Sequence, residues 1–174
     1  MSRVIIRISN GLDYLCRGGA GVCFVAMLVF ISIQVVARYL LKSPPTWTEE
    51  LARYAMVWGG LLGATVAFKS RFDPTLIKPP QGKAPIVMFA VGTIRTATVV
   101  IFLGPVLYYS FYGPGMNLLR GFLGRSMERT ADTLGFPMIY VAVAVPIAAF
   151  VILFHLAARL AGDQTGVVPA EEET

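Results

Sequence analysis

Four long apolar stretches, at Ala20 to Ala37, Leu51 to Phe68, Ile86 to Tyr112 and Phe136 to Leu160, leave this chain few ways to fold. Each can cross a hydrocarbon layer of ~30 Å, which takes an α-helix of about 20 residues. Only 14% of the 174 residues are charged and the mean hydropathy is +0.67, so too little polar chain remains to wrap these stretches as a water-soluble core. The expectation is an all-α integral membrane protein with four transmembrane helices, over about 18–41, 48–69, 86–112 and 136–160. They make one domain over 1–161, followed by a disordered acidic tail at 162–174. Arg3, Arg7 and Arg17 precede the first stretch as they would in a signal peptide, but no cleavage site of small residues follows, so that helix is read as retained.

The net charge of +5 does not point to nucleic acid, because the basic residues are scattered between the spans. Their distribution is topological. Arg3, Arg7, Arg17, Lys69, Arg71, Lys78, Lys83 and Arg159 outnumber Arg38, Lys42, Arg120, Arg125 and Arg129, which places both termini in the cytoplasm. Val4, Ile5, Ile8, Leu12 and Leu15 recur at helical spacing ahead of the first span. They read equally as an early start to helix 1 or as a short helix on the membrane surface. A second interfacial helix is expected between spans 3 and 4, where Leu118, Leu119, Phe122 and Leu123 share a face.

Enzymatic signatures are missing: there is no phosphate-binding glycine loop, no nucleophile elbow and no HExxH or Cys/His metal spacing. Cys16 and Cys23 lie about 10 Å apart along one helix, too far for a disulfide. His155 is the one histidine, which excludes a bis-histidine haem within the chain. Neither metal nor cofactor is expected. Arg95, near Thr93, Thr96 and Thr98, is read as snorkelling rather than lining an ion path, and Pro105 and Pro146 as kinks. No carboxylate falls in a proposed membrane core, so the chain is expected to bury no ionisable groups in hydrocarbon.

Helix 2 carries the most pattern. Ala55, Gly59, Gly63 and Ala67 recur every fourth residue, making a smooth face to which another backbone can approach closely. The face suits helices of this chain and those of another subunit equally. Ahead of it, Thr46 and Glu49 have the spacing of a capping box. Arg53 reaches Glu49 at i+4 and Glu50 at i+3, while Trp47 and Tyr54 suit an aromatic belt. This outer cluster reads either as a cap with interfacial anchors or as a contact for a partner chain or a phospholipid headgroup.

Arg38-Tyr39, the run from Trp47 through Thr48, Glu49, Glu50, Leu51, Ala52 and Arg53 to Tyr54, then Gly63-Ala64 and Ala67, resembles the small Q-type, DctQ-like membrane subunit of TRAP (tripartite ATP-independent periplasmic) transporters. Thr133-Leu134-Gly135-Phe136-Pro137, Tyr140 and Pro146 resemble that family's entry into its fourth span. One departure is Lys69-Ser70-Arg71-Phe72-Asp73-Pro74, where the family often has a histidine. The resemblance implies a non-catalytic scaffold in the bacterial inner membrane, bound to a large membrane subunit that carries the Na+ and substrate sites. A periplasmic substrate-binding protein would deliver an organic acid, such as a C4-dicarboxylate or sialic acid, for sodium-driven uptake. The alternative is a self-sufficient small channel or carrier acting as a homo-oligomer.

Overall fold

A computed structural model describes residues 2–70 and 85–163. Among them the chain is helical: α1 (Ser2–Tyr39), α2 (Thr46–Lys69), α3 (Pro85–Phe111), a 3-10 turn (Leu118–Arg120), α4 (Phe122–Glu128), α5 (Ile139–Ala142) and α6 (Ala144–Leu160). Four helical segments are long and apolar enough to cross a membrane, namely Arg3–Tyr39, Thr46–Lys69, Ala90–Phe111 and Ile139–Leu160. The loop expected after helix 2 and the acidic tail lie, over 71–84 and from 164 on, outside the described residues.

The apolar lead-in is the first part of α1, which runs unbroken for 38 residues, about 57 Å at 1.5 Å per residue. It therefore overshoots a hydrocarbon layer of ~30 Å. Pro44 and Pro45 then end the reversal, and α2 starts at Thr46 with Pro45 as its N-cap. The expected capping box does not form: Thr46 already lies inside the helix, so neither its hydroxyl nor Glu49 caps the first turn. Instead the Thr48 hydroxyl donates to the Pro45 carbonyl at 2.7 Å.

α1 and α2 pack as an antiparallel hairpin on a period of 3.5 residues. On α1 the buried or half-buried seam is Ser9, Asp13, Cys16, Ala20, Cys23, Met27, Phe30, Gln34 and Ala37. On α2 it is Thr48, Ala52, Ala55, Gly59, Leu62, Val66 and Lys69. These steps alternate four and three, the spacing of knobs-into-holes packing. Gly59 is where the backbones close up: a Cβ there would lie 3.2 Å from the Cys23 Cβ and 3.7 Å from the Ala20 carbonyl oxygen. The four-residue stripe drawn from the sequence drifts off this seam. Ala55 and Gly59 stay on it, whereas a Cβ at Gly63 would meet nothing within 4 Å. With Met56, Gly60, Ala64 and Ala67, Gly63 belongs to the side of α2 next to the exposed Glu49 and Arg53.

α6 is the central helix, touching α1, α2 and α3. Ala144, Ala148, Val151, His155 and Ala158, all buried, form one of its faces. Pro146 removes the hydrogen bond that its own N–H would make to Ala142, and helix 4 breaks there at Val143 into α5 and α6. Among the described residues α3 packs chiefly on α6 and α4, and none of its spanning window is buried, against half of the window in α5 and α6. Pro105 lies inside α3 without ending it. Between α3 and α5 the expected interfacial helix is divided into the 3-10 turn and α4. Gly121 permits the turn, since a Cβ there would collide with the Phe111 carbonyl.

Gly59→Leu should lower the stability of the isolated chain by about 1–3 kcal/mol through overpacking against α1. Gly63→Leu should leave it within ~0.5 kcal/mol of the parent. Thermal unfolding of both variants in detergent checks the contrast, and equal losses would show that the seam has been placed wrongly.

Candidate functional site: two polar fastenings at the ends of the bundle

At one end Glu50 turns inward from the start of α2. It is 9% exposed, and its carboxylate accepts the Tyr54 hydroxyl and the backbone N–H groups of Thr133 and Leu134 at 3.1 and 3.3 Å. Those two N–H groups lie side by side because residues 130–137 form a tight reversal. Thr130 bridges Pro137, the Ala131 N–H donates to the Phe136 carbonyl at 2.8 Å, and Gly135 takes a φ of +67° that side-chain-bearing residues rarely adopt. Consecutive amides aimed at one point make an anion seat, and here a carboxylate of the same chain fills it.

Aromatic groups close over this contact. The Tyr54 ring meets Phe136 edge-on at 5.6 Å, Phe136 meets Tyr140 at 6.1 Å, and the Trp58 indole N–H donates to the Tyr140 carbonyl at 3.1 Å. The two stretches that carry the family resemblance, 47–54 and 133–140, are therefore one structural unit. The rest of the expected cluster stays outward. Arg53 pairs with Glu49 at 3.0 Å with both side chains more than 60% exposed, Gln34 reaches Glu49 at 3.5 Å, and Trp47 packs edge-on against Phe30 at 6.5 Å. A shallow cleft lined by Thr46, Glu49, Glu50, Arg53, Asp132 and Thr133 opens beside them. Arg53 thus pairs with Glu49 alone, because Glu50 is committed to the loop.

The opposite end carries a fastening that the sequence reading missed. Ser9 of α1, Lys69 of α2 and His155 of α6, respectively 0%, 6% and 3% exposed, converge there. Lys69 donates to the Ser9 hydroxyl oxygen at 3.0 Å and to the side-chain carbonyl of Asn10. The Ser9 oxygen lies 2.8 Å from His155 Nδ1. Arg159 donates to the Phe68 carbonyl at 2.8 Å with its guanidinium 4.8 Å above the Phe68 ring, closing the end of α2. The expectation that no ionisable group is buried is therefore corrected: Glu50, Lys69 and His155 are all inside, each where elements meet and each hydrogen-bonded. The sequence did hold a sign of this, since Asp13 and Lys69 are the charged residues of the two seams.

Two of the threonines of α3 are satisfied locally. The Thr96 and Thr98 hydroxyls donate to the carbonyls of Gly92 and Ile94 at 3.0 and 2.9 Å, and Arg95 is exposed, so α3 presents no polar path at these positions. Cys16 and Cys23 are free thiols on the α1 seam. No group of three or more His, Cys, Asp or Glu residues suited to a metal ion occurs among the described residues.

A hairpin of two spanning helices, pinned at its ends and completed by two further spans, defines a multi-pass membrane protein whose polar groups serve assembly. Residues 27–73, which take in the last part of α1, the reversal and α2, match the model of the family "Tripartite ATP-independent periplasmic transporters, DctQ component". A 51-residue stretch is 35% identical to the sialic acid TRAP transporter permease protein SiaT of Haemophilus influenzae (strain 86-028NP). That stretch is 29% of this chain and 8% of the relative's length. Over this stretch the chain is similar to the DctQ component of TRAP transporters.

Glu50→Ala should release the 130–137 reversal, raising hydrogen exchange at the Thr133 and Leu134 amides by roughly tenfold or more as their charged acceptor disappears. Glu49→Gln should leave the same amides unchanged, because an exposed i,i+4 pair contributes only about 0.3–0.5 kcal/mol. Mass-spectrometric exchange on the two variants in detergent makes the comparison.

Proposed function

We propose that this chain is the small, non-catalytic membrane subunit of a sodium-driven, binding-protein-dependent TRAP transporter in the bacterial inner membrane. Both termini are cytoplasmic, so that the Glu50 end faces the periplasm. The large membrane subunit carries the Na+ and substrate sites, and a periplasmic protein supplies an organic acid, a class that includes C4-dicarboxylates and sialic acid. This chain holds the larger one in place. The reading rests on the match to the DctQ component and on the relative named as a sialic acid TRAP transporter permease.

The observation that carries it is the free side of α2. Met56, Gly60 and Ala64 are exposed, Gly63 and Ala67 are half-buried, and neither Gly60 nor Gly63 would bring a Cβ within 4 Å of any neighbour. In hydrocarbon a smooth helix face gains little from lipid chains but allows close backbone packing with another helix. It runs on into Glu49 and Arg53, whose exposed charges stand at the level where a large subunit or a phospholipid headgroup can pair with them. The large subunit is the occupant that this reading assigns to the face, with Trp47, Glu49, Arg53 and Tyr54 at its rim and Glu50 holding the rim in shape.

Gly60→Leu and Gly63→Leu should each cut co-purification with the large subunit by about tenfold or more, while the chain alone stays folded. Undiminished co-purification of both variants would remove the face from the interface. Vesicles containing only this chain should show no sodium-dependent uptake, and flux through them would favour the homo-oligomeric carrier instead.

A further inference from the structure

The Ser9, Lys69 and His155 cluster has a directed hydrogen-bond pattern. A lysine ammonium has three donors and no acceptor, so the Ser9 oxygen accepts from Lys69, and the Asn10 oxygen accepts likewise. The Ser9 hydroxyl keeps one proton and a second lone pair, so toward His155 Nδ1, 2.8 Å away, it either donates to a bare nitrogen or accepts from a protonated one. A Ser9 hydroxyl that donates goes with the neutral imidazole whose proton sits on Nε2. Nε2 is buried and has no hydrogen-bond partner among the described residues, so no carboxylate holds a second proton on the ring.

We propose that Ser9, Lys69 and His155 form a proton-operated clasp, which holds the first turns of α1 against α2 and α6 while the imidazole is neutral and releases them when the imidazole takes up a proton. Protonation turns Nδ1 from acceptor to donor. The Ser9 oxygen would then have to accept from two cations at once, and its own hydroxyl would lose its acceptor. Lys69 and the imidazolium would be separated by one shared oxygen in a setting from which water is largely excluded, and their repulsion there is weakly screened.

The charges around the clasp are mixed. On α1, Asp13 pairs through Oδ2 with Arg17 at 3.4 Å while its Oδ1 stays buried and unpartnered, and Arg3 and Arg7 are exposed. Past the end of α6, Arg159 is engaged with Phe68 and Asp163 follows. α3, which also packs on α6, contributes the exposed Arg95. Neither Asp13 nor Asp163 hydrogen-bonds to the ring, whereas Lys69 bonds to the same Ser9 oxygen that lies against Nδ1. A proton on Nδ1 therefore sets two cations on one oxygen, and release on acidification follows.

The full chain in lipid nanodiscs tests this by hydrogen exchange over residues 3–15, at pH values of about 8 and about 5 that bracket histidine titration. Protection in the parent protein should fall by at least ~tenfold at the lower pH after correction for intrinsic exchange, and His155→Gln should lose that pH dependence. Protection that is the same at both pH values, or a fall that persists in His155→Gln, overturns the proposal. Should the variant not fold, nitrogen NMR of the parent decides: at the higher pH the ring should carry its proton on Nε2 with Nδ1 bare. A proton on Nδ1 in that state would overturn the clasp equally.

Discussion

Close approach of the α1 and α2 backbones at Gly59 and Ala20 is the constraint on which the rest of the bundle depends. Two helices in hydrocarbon gain no hydrophobic drive from meeting each other, so contact has to come from fit and from polar groups that lack an alternative partner. The seam supplies fit through small and sulfur-bearing residues along its middle, and polar partners only at its ends. Lys69 fixes one end through Ser9 and Asn10, and the Gln34 contact with Glu49 helps to mark the other. Once that register is set, the groove between α1 and α2 is the surface on which α6 lies.

α6 follows from the same logic. Its buried face is nearly all alanine and valine, with one imidazole, so it can lie close to both helices of the hairpin, and His155 reaches Ser9. The break at Val143 lets the chain leave that line before the Glu50 end, where the 130–137 reversal has to meet α2. Glu50 then joins two stretches 83 residues apart in sequence. A carboxylate filled by its own chain is a structural anchor. It leaves Glu49 and Arg53 as the charges available to a neighbour.

How much of this could be read beforehand depended on the range of the interaction. The four spans and the helix-breaking prolines were legible, because apolar length and missing N–H groups are local properties. The stripe on helix 2 was legible in kind but not in phase. Four-residue spacing picks out Gly59 correctly and then drifts, whereas the period of 3.5 shows only when α1 and α2 are aligned against each other. Glu50 stood out as costly at a boundary, yet its partners are backbone amides of Thr133 and Leu134, and no side-chain pattern marks a pair of amides. His155 read as solitary because its partner, Ser9, lies 146 residues away on α1.

The division between fastened and unfastened surfaces bears on what such a component can do. α1, α2 and α6 are tied together at the Lys69 end, and α2 is tied to the 130–137 reversal at the other. Among the described residues α3 packs chiefly on α6 and α4 and buries none of its spanning window. A rigid three-helix unit keeps the free side of α2 in a constant shape, which close helix packing requires, since a backbone approach tolerates little displacement. A chain that moved solute itself would need polar groups aimed into a path between its helices. Here Glu50, Lys69 and Ser9 spend their hydrogen bonds inside the bundle, and the Thr96 and Thr98 hydroxyls return theirs to α3. Polar chemistry used in this way resists deformation, which the scaffold role proposed above requires.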